Sequence, residues 1–154
     1  MTTKKTDNTE LATTNDTEII PTVTVDDVIS SSGFINTVDM TKLEGKVSVA
    51  NAVNSATSLK DAPESIDVID CITMPGVRKG RNNMPDTDCT NVYLIDTEGK
   101  AWFSQSDGIA RSVRLLASLF PDFGKSLPQG ALHVKVVEQQ LNNGNTLKTL
   151  ALDM

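Results

Sequence analysis

Along residues 65–152 the spacing of apolar side chains changes from a two-residue period to a 3.6-residue period and back again. Residues 65–74 are half alternating: Ile66, Val68 and then Cys71 or Ile72 are interleaved with Asp67 and Asp70, the pattern of a strand in a curved sheet. Residues 90–96 are rich in β-branched and aromatic side chains. They run into Asp96-Thr97-Glu98-Gly99, with Asp first and Gly fourth, as a type I turn requires. A partner strand returns over 101–106. Ser106 or Asp107 then caps a helix over 107–120, in which Ile109, Val113, Leu116, Ala117 and Phe120 share one stripe and which Pro121 ends. A hairpin over 131–141 and 145–152 closes the pattern, turning at Asn142-Asn143-Gly144-Asn145, where Asn and Gly accept positive φ.

Three strands, one helix and two strands, in that order, predict a mainly β domain with one or two helices. The order is that of the OB-fold, a five-stranded Greek-key barrel whose second and third strands and adjoining loops form a binding face. Residues 26–62 precede the barrel and predict an extension to it. Phe34, Val38 and Leu43 lead into Gly45–Val49, residues 51–59 have the composition of a short helix, and the two together predict an extra strand and helix covering one end of the barrel. One domain over 26–154 accounts for a chain of this length. Residues 1–25 differ in kind: rich in Thr, Asn, Asp and Glu, without aromatics or periodicity, they predict a disordered acidic tail. Lys4 and Lys5 are followed by polar residues rather than an apolar run, and no segment reaches the roughly 18 apolar residues of a membrane span, so the expectation is a cytoplasmic protein with no membrane partner.

Charge changes this picture more by its placement than by its sum. The net charge is −6, of which residues 1–27 carry −4. Residues 74–83 hold Arg78, Lys79 and Arg81 and no acid, in what the pattern makes the loop between the first two strands. Arg111 and Arg114 follow on the helix, and Lys135 and Lys148 on the last hairpin. Such a run is either a solvated loop tip or an electrostatic clamp on phosphates, and its place beside the binding face of a barrel favours the clamp.

Aromatic side chains are scarce, with 1 Trp, 1 Tyr and 4 Phe, and three of them cluster at Tyr93, Trp102 and Phe103 on the second and third strands. Trp102 and Phe103 are adjacent, so they point to opposite faces and only one can be core. Nucleic-acid bases stack on exposed rings of this kind. The expectation is Trp102 outward with Tyr93 as a weaker companion. The competing arrangement has Trp102 in the core and Phe103 partly covered by the N-terminal segment. A bulge in the 96–99 turn would invert the faces and decide which Tyr93 shares. Phe34, Phe120 and Phe123 read as core or packing residues.

Catalytic and metal chemistry find little support. Cys71 and Cys89 are the only cysteines and read as reduced, apolar-behaving thiols, and with the lone His133 they make no metal-ligand spacing. His133 reads as a surface or satisfied side chain. Asp67 and Asp70 lie three apart on a strand and so face opposite ways. No nucleophile–base set or phosphate-cradling Gly-rich loop stands out, which predicts a non-enzyme without a cofactor.

The run from Asn91 to Ser106, Asn-Val-Tyr-Leu-Ile-Asp-Thr-Glu-Gly-Lys-Ala-Trp-Phe-Ser-Gln-Ser, followed by a helix, resembles the single-stranded DNA-binding proteins of protein-primed phages infecting Gram-positive hosts and related plasmid proteins. Ser58-Leu59-Lys60-Asp61 and the strand 66–72 are similar in order, so the resemblance covers roughly 42–152. It implies sheet aromatics that stack on bases, Trp102 first and Tyr93 less surely, and basic loop residues that track the backbone. The chain departs from that pattern in its long acidic N-terminal tail. It also lacks an acidic C-terminal tip of the kind that recruits replication proteins, which leaves recruitment open.

The leading expectation is therefore a sequence-nonspecific single-stranded DNA-binding protein that coats or protects strands in phage or plasmid replication. The nucleic-acid contacts expected are Trp102, Tyr93, Phe103, Arg78, Lys79, Arg81, Arg111, Lys135 and Lys148. Two alternatives stay open: an OB-like protein-interaction or inhibitor module with Trp102 as its anchor, and an RNA-binding barrel. Oligomeric state is not readable from these features.

Overall fold

A computed structural model describes residues 34–153. The tail expected over 1–25 lies outside the described residues. The described chain forms β1 (Ile35–Asn36), α1 (Leu43–Ser55), β2 (Thr57–Ser58), a 3₁₀ turn (Leu59–Asp61), β3 (Ser65–Arg78), β4 (Thr87–Asp96), β5 (Ala101–Ser104), α2 (Asp107–Leu119), β6 (Leu132–Gln140) and β7 (Thr146–Leu152).

The sheet runs β2-β5-β4-β3-β6-β7, with β1 also pairing β3. All pairs are antiparallel except β2 with β5. β3, β4, β5, α2, β6 and β7 take the order of an OB-fold, and the protein is a curled, mainly β, OB-like half-barrel with an N-terminal extension. The curl does not close. β5 is flanked by β4 and β2, β7 pairs only with β6, and a gap remains between the two ends of the sheet.

β3 explains its own ambiguous sequence pattern. A register shift between Val68 and Asp70 puts one extra residue into the strand. Side chains on the α2 face therefore run Ile66, Val68 and then Cys71, while Ile72 turns to the other face. The bulge bends β3 so that its first part pairs β6 and its later part pairs β1. β3 also continues to Arg78, beyond the expected end at residue 74, despite Pro75 and Gly76. Past Thr73 its only neighbour is β4, and an edge is where a sheet accepts Pro.

The two faces carry two cores. Val68, Cys71, Val92, Leu94 and Trp102 pack against Ile109, Val113 and Leu116 of α2 and against Phe123. Ser106 caps α2, its Oγ accepting from Ile109 N at 3.4 Å. On the opposite face Ile72, Tyr93, Ile95 and Ala101 pack beneath Val38 and Ala52 of the extension. α1 occupies 43–55 rather than 51–59: Val47, Val49 and Val53 are weak helix formers, and packing on the sheet overrides their propensity. Thr37 rivets the extension to the bulge. Its hydroxyl donates to Asp70 Oδ1 at 2.7 Å and accepts from Cys71 N at 2.9 Å. Asp70 is buried and also holds Lys125. Phe34, expected to pack, is 60% exposed, because β1 begins only at Ile35 and the ring lies beyond the extension's contacts. Phe123 is fully buried and Phe120 packs at the margin of the same core. No helix among the described residues is long and apolar enough to cross a membrane.

Candidate functional site

The gap between the ends of the sheet forms a groove of about 760 Å³. The segment after β2 makes one wall with Lys60 and Glu64, and Val136, Glu138 and Lys148 of the β6–β7 hairpin make the other. Phe103, Gln105 and Ile109 line it between the walls. A Cβ on Gly108 would lie 2.0 Å from Lys148 O, so only glycine lets the start of α2 approach β7 this closely. Ser112 Oγ accepts from Leu150 N at 3.0 Å and fastens the same strand one turn further along.

Beside the groove, the outer part of the β3–β4 hairpin is an exposed arm. The arm is latched to the start of α2: Arg78 Nη2 donates to Gln105 O and lies 3.3 Å from Asp107 Oδ1. Gln105 Nε2 in turn donates to Val77 O at 3.1 Å and to Asn91 Oδ1 at 3.0 Å. At the tip, Asn82 and Asn83 adopt φ of 53° and 66°, a conformation Asn tolerates better than most residues. Asp86 Oδ1 accepts from Gly80 N at 2.8 Å, and its Oδ2 lies 3.5 Å from Lys79 Nζ. Counted with Asp86 just before β4 and Asp88 on it, the arm's charge is far less one-sided than residues 74–83 suggest.

Of the expected aromatic contacts, the outward Trp102 is overturned. Trp102 is 6% exposed and lies in the α2-side core. The reason is register: Trp102 pairs Leu94 and Phe103 pairs Tyr93, so Trp102 takes Leu94's buried face. Its one polar atom is satisfied there, Nε1 donating to Asp96 Oδ2 at 3.1 Å, and Lys100 Nζ sits 4.4 Å from the ring centroid. Asp96 also accepts from Glu98 N and Lys100 N at 2.9 Å each, so the turn and the indole are built around one carboxylate. Tyr93 shares the other face with Phe103, the ring centroids 5.2 Å apart, and is itself 6% exposed. Burial pushes the Tyr93 phenol above its ordinary range. Phe103 alone of the three is half-buried and lines the groove. This is the competing arrangement recognised in the sequence.

The cations divide similarly. Lys148 lies in the groove, 3.7 Å from Glu138 Oε2, and Arg78 stands beside it at the start of α2. Lys79 and Arg81 are exposed on the arm, and Arg111 is exposed on α2. Lys135 alternates with Val134 and Val136, so it faces away from the groove. Arg114 is buried; its Nη2 donates to Thr90 Oγ1 at 2.8 Å, and desolvation lowers its pKa from the ordinary arginine value. Lys60 and Gln105 were not foreseen. Both become visible only once the sheet is known to stay open, since a closed barrel has no groove there.

Cys71 and Cys89 are free thiols, and His133 Nδ1 is paired with Asp67 Oδ1. Among the described residues no group of three or more His, Cys, Asp or Glu is arranged to hold a metal ion. What the groove and arm offer is one partly exposed ring, several cations and amide groups, arranged along a path from Lys148 past Arg78 to Arg81. That is the chemistry of contact with an extended polyanion bearing flat rings. A model of the phi29-type family of phage single-stranded DNA-binding proteins matches residues 28–153. No curated protein and no solved structure matches the chain.

Proposed function

Since this chain belongs to the phage single-stranded DNA-binding protein family, we propose that it binds single-stranded DNA without sequence preference, coating strands during phage replication in the host cytoplasm. The strand follows the groove and arm. A base rests on Phe103, and phosphates meet Lys60 and Lys148 in the groove, Arg78 and Arg111 near the start of α2, and Lys79 and Arg81 on the arm. Trp102 and Tyr93 support the platform from beneath rather than touch the strand. Lys135 lies off this path. The observation that carries the reading is the open gap between the two ends of the sheet, where Phe103 and cations from separate elements line one groove. Stacking and phosphate contacts do not depend on base identity, which is why low sequence specificity follows.

The alternative of a protein-interaction module loses the anchor first assigned to it, because Trp102 is buried. The test is anisotropy of a labelled mixed-sequence oligonucleotide over a salt series, with RNA and duplex competitors. Six phosphate contacts give a log–log slope of about −4 for a single strand. A flat salt dependence, or equal competition by duplex, refutes the reading.

A further inference from the structure

Three cations on this path are already held by carboxylates. Arg78 Nη2 lies 3.3 Å from Asp107 Oδ1, Lys79 Nζ 3.5 Å from Asp86 Oδ2, and Lys148 Nζ 3.7 Å from Glu138 Oε2. The carboxylate side chains are 79%, 48% and 59% exposed. They differ from Asp70, which is buried, grips Lys125 and Thr37, and secures the extension. They come from three different elements: the first residue of α2, the returning limb of the arm, and the strand opposite Lys148. Arg81 and Arg111 carry no ion pair among the described residues.

We propose that Asp107, Asp86 and Glu138 occupy, in the free protein, the positions that strand phosphates take in the complex, and so set the strength of binding. This rests on the reading above. An exposed ion pair contributes little, so exchanging a carboxylate for a phosphate costs little. The strand's phosphate still brings a gain the carboxylate cannot, the release of counterions condensed on the nucleic acid. Meanwhile each carboxylate keeps its cation extended in one place: Arg78 is held jointly by Gln105 O and Asp107, and Asp86 also binds Gly80 N. The device preorganises the path and at the same time moderates affinity, which suits a coat that must be removed from the strand it covers.

Two triple variants separate this from a general charge effect. Asp86→Asn, Asp107→Asn and Glu138→Gln release the three cations. Glu44→Gln, Glu98→Gln and Asp153→Asn remove the same charge at carboxylates that hold no cation among the described residues. Each freed cation raises affinity roughly two- to fivefold, so the first set should bind a mixed-sequence single strand about tenfold or more tightly than the second. Its salt dependence should also be steeper, because salt no longer loosens a competing pair. Equal gains in both sets overturn the proposal and leave only net charge. A loss of affinity in the first set, at an unchanged melting temperature, overturns it by making the carboxylates necessary struts. Failure of the wild-type protein itself to bind removes the underlying function and this proposal with it.

Discussion

Trp102 is the residue at which sequence and structure lead to opposite experiments. The ring is 6% exposed, packed on Leu94 and the α2 side of the sheet, and its Nε1 donates to Asp96 at 3.1 Å. Replacing it with Ala removes the largest side chain of that core and leaves a cavity, at about 3–5 kcal/mol for an aromatic-to-Ala change. Against a total stability on the order of 5–15 kcal/mol, that is about a fifth or more of the folding free energy, and melting should fall by roughly 10–20 °C. Trp102→Phe is the gentler variant. It keeps most of the apolar surface but loses the hydrogen bond to the Asp96 carboxylate, for about 1.5–3 kcal/mol. Both are measured by urea denaturation followed by far-UV circular dichroism, since the fluorophore is gone. In the wild type the single Trp should emit at a blue-shifted wavelength before any DNA is added, and saturating single-stranded DNA should barely move it. Trp102→Phe, assayed well below its melting temperature, should hold single-stranded DNA within about twofold of wild type. A Trp102→Phe protein that melts like the wild type but has lost tenfold or more in affinity would put the indole on the strand and refute the buried assignment.

Phe103→Ala should show the converse: a loss of about 1–3 kcal/mol in single-stranded DNA binding by anisotropy, with a smaller stability change than Trp102→Ala because the ring is only half-buried. The Cys71 thiol is pushed up to about 12 by burial and, next, by the charge of Asp70. The unfolded chain loses that proton from about pH 9 while the folded chain keeps it, so stability should fall with rising pH between about 9 and 12. The expected slope is on the order of 1 kcal/mol per pH unit, read from urea midpoints and reduced in Cys71→Ala. A thiol reagent near pH 8 should accordingly modify Cys89 in the native protein and both cysteines only after denaturation.

The element order was legible because turn and cap signals separate the segments and the period switches clearly at the helix. The 96–99 turn carried Asp and Gly at the positions the turn demands, and α2 carried both its cap and its terminating Pro121. Faces were harder to read. The extra residue between Val68 and Asp70 reverses alternation midway along β3, and nothing local marks it, because a bulge is set by the strands on either side. Trp102 failed for a related reason. Strand alternation required one of Trp102 and Phe103 to be core, but only the pairing of Trp102 with Leu94 says which. The outer arm reads as a loop in the sequence, and β3 continues through Pro75 and Gly76 because there it is an edge paired only with β4. The ion pairs on the path depend on tertiary register: Glu138 and Lys148 become neighbours only when β6 and β7 are aligned, and Arg78 meets Asp107 only when the arm folds back on α2.

The position of the open gap follows from what covers the sheet. α2 and Phe123 bury one face of the β3–β4–β5 region, and Val38 and α1 bury the other at Ile72, Tyr93 and Ile95. A flat aromatic platform on either face would require an uncovered face, and both cores already use the rings that could supply it. What such a sheet still exposes is its margins: the end of β5, the inner side of β7 and the outer reach of β3 and β4. Phe103 is the one clustered ring that reaches such a margin, because it sits one residue from the end of β5. The proposed strand path therefore crosses the sheet's open seam. Removing α1 should not create a better platform. It would instead expose Tyr93, Ile72 and Ile95 to water and lose the stability that the second core provides.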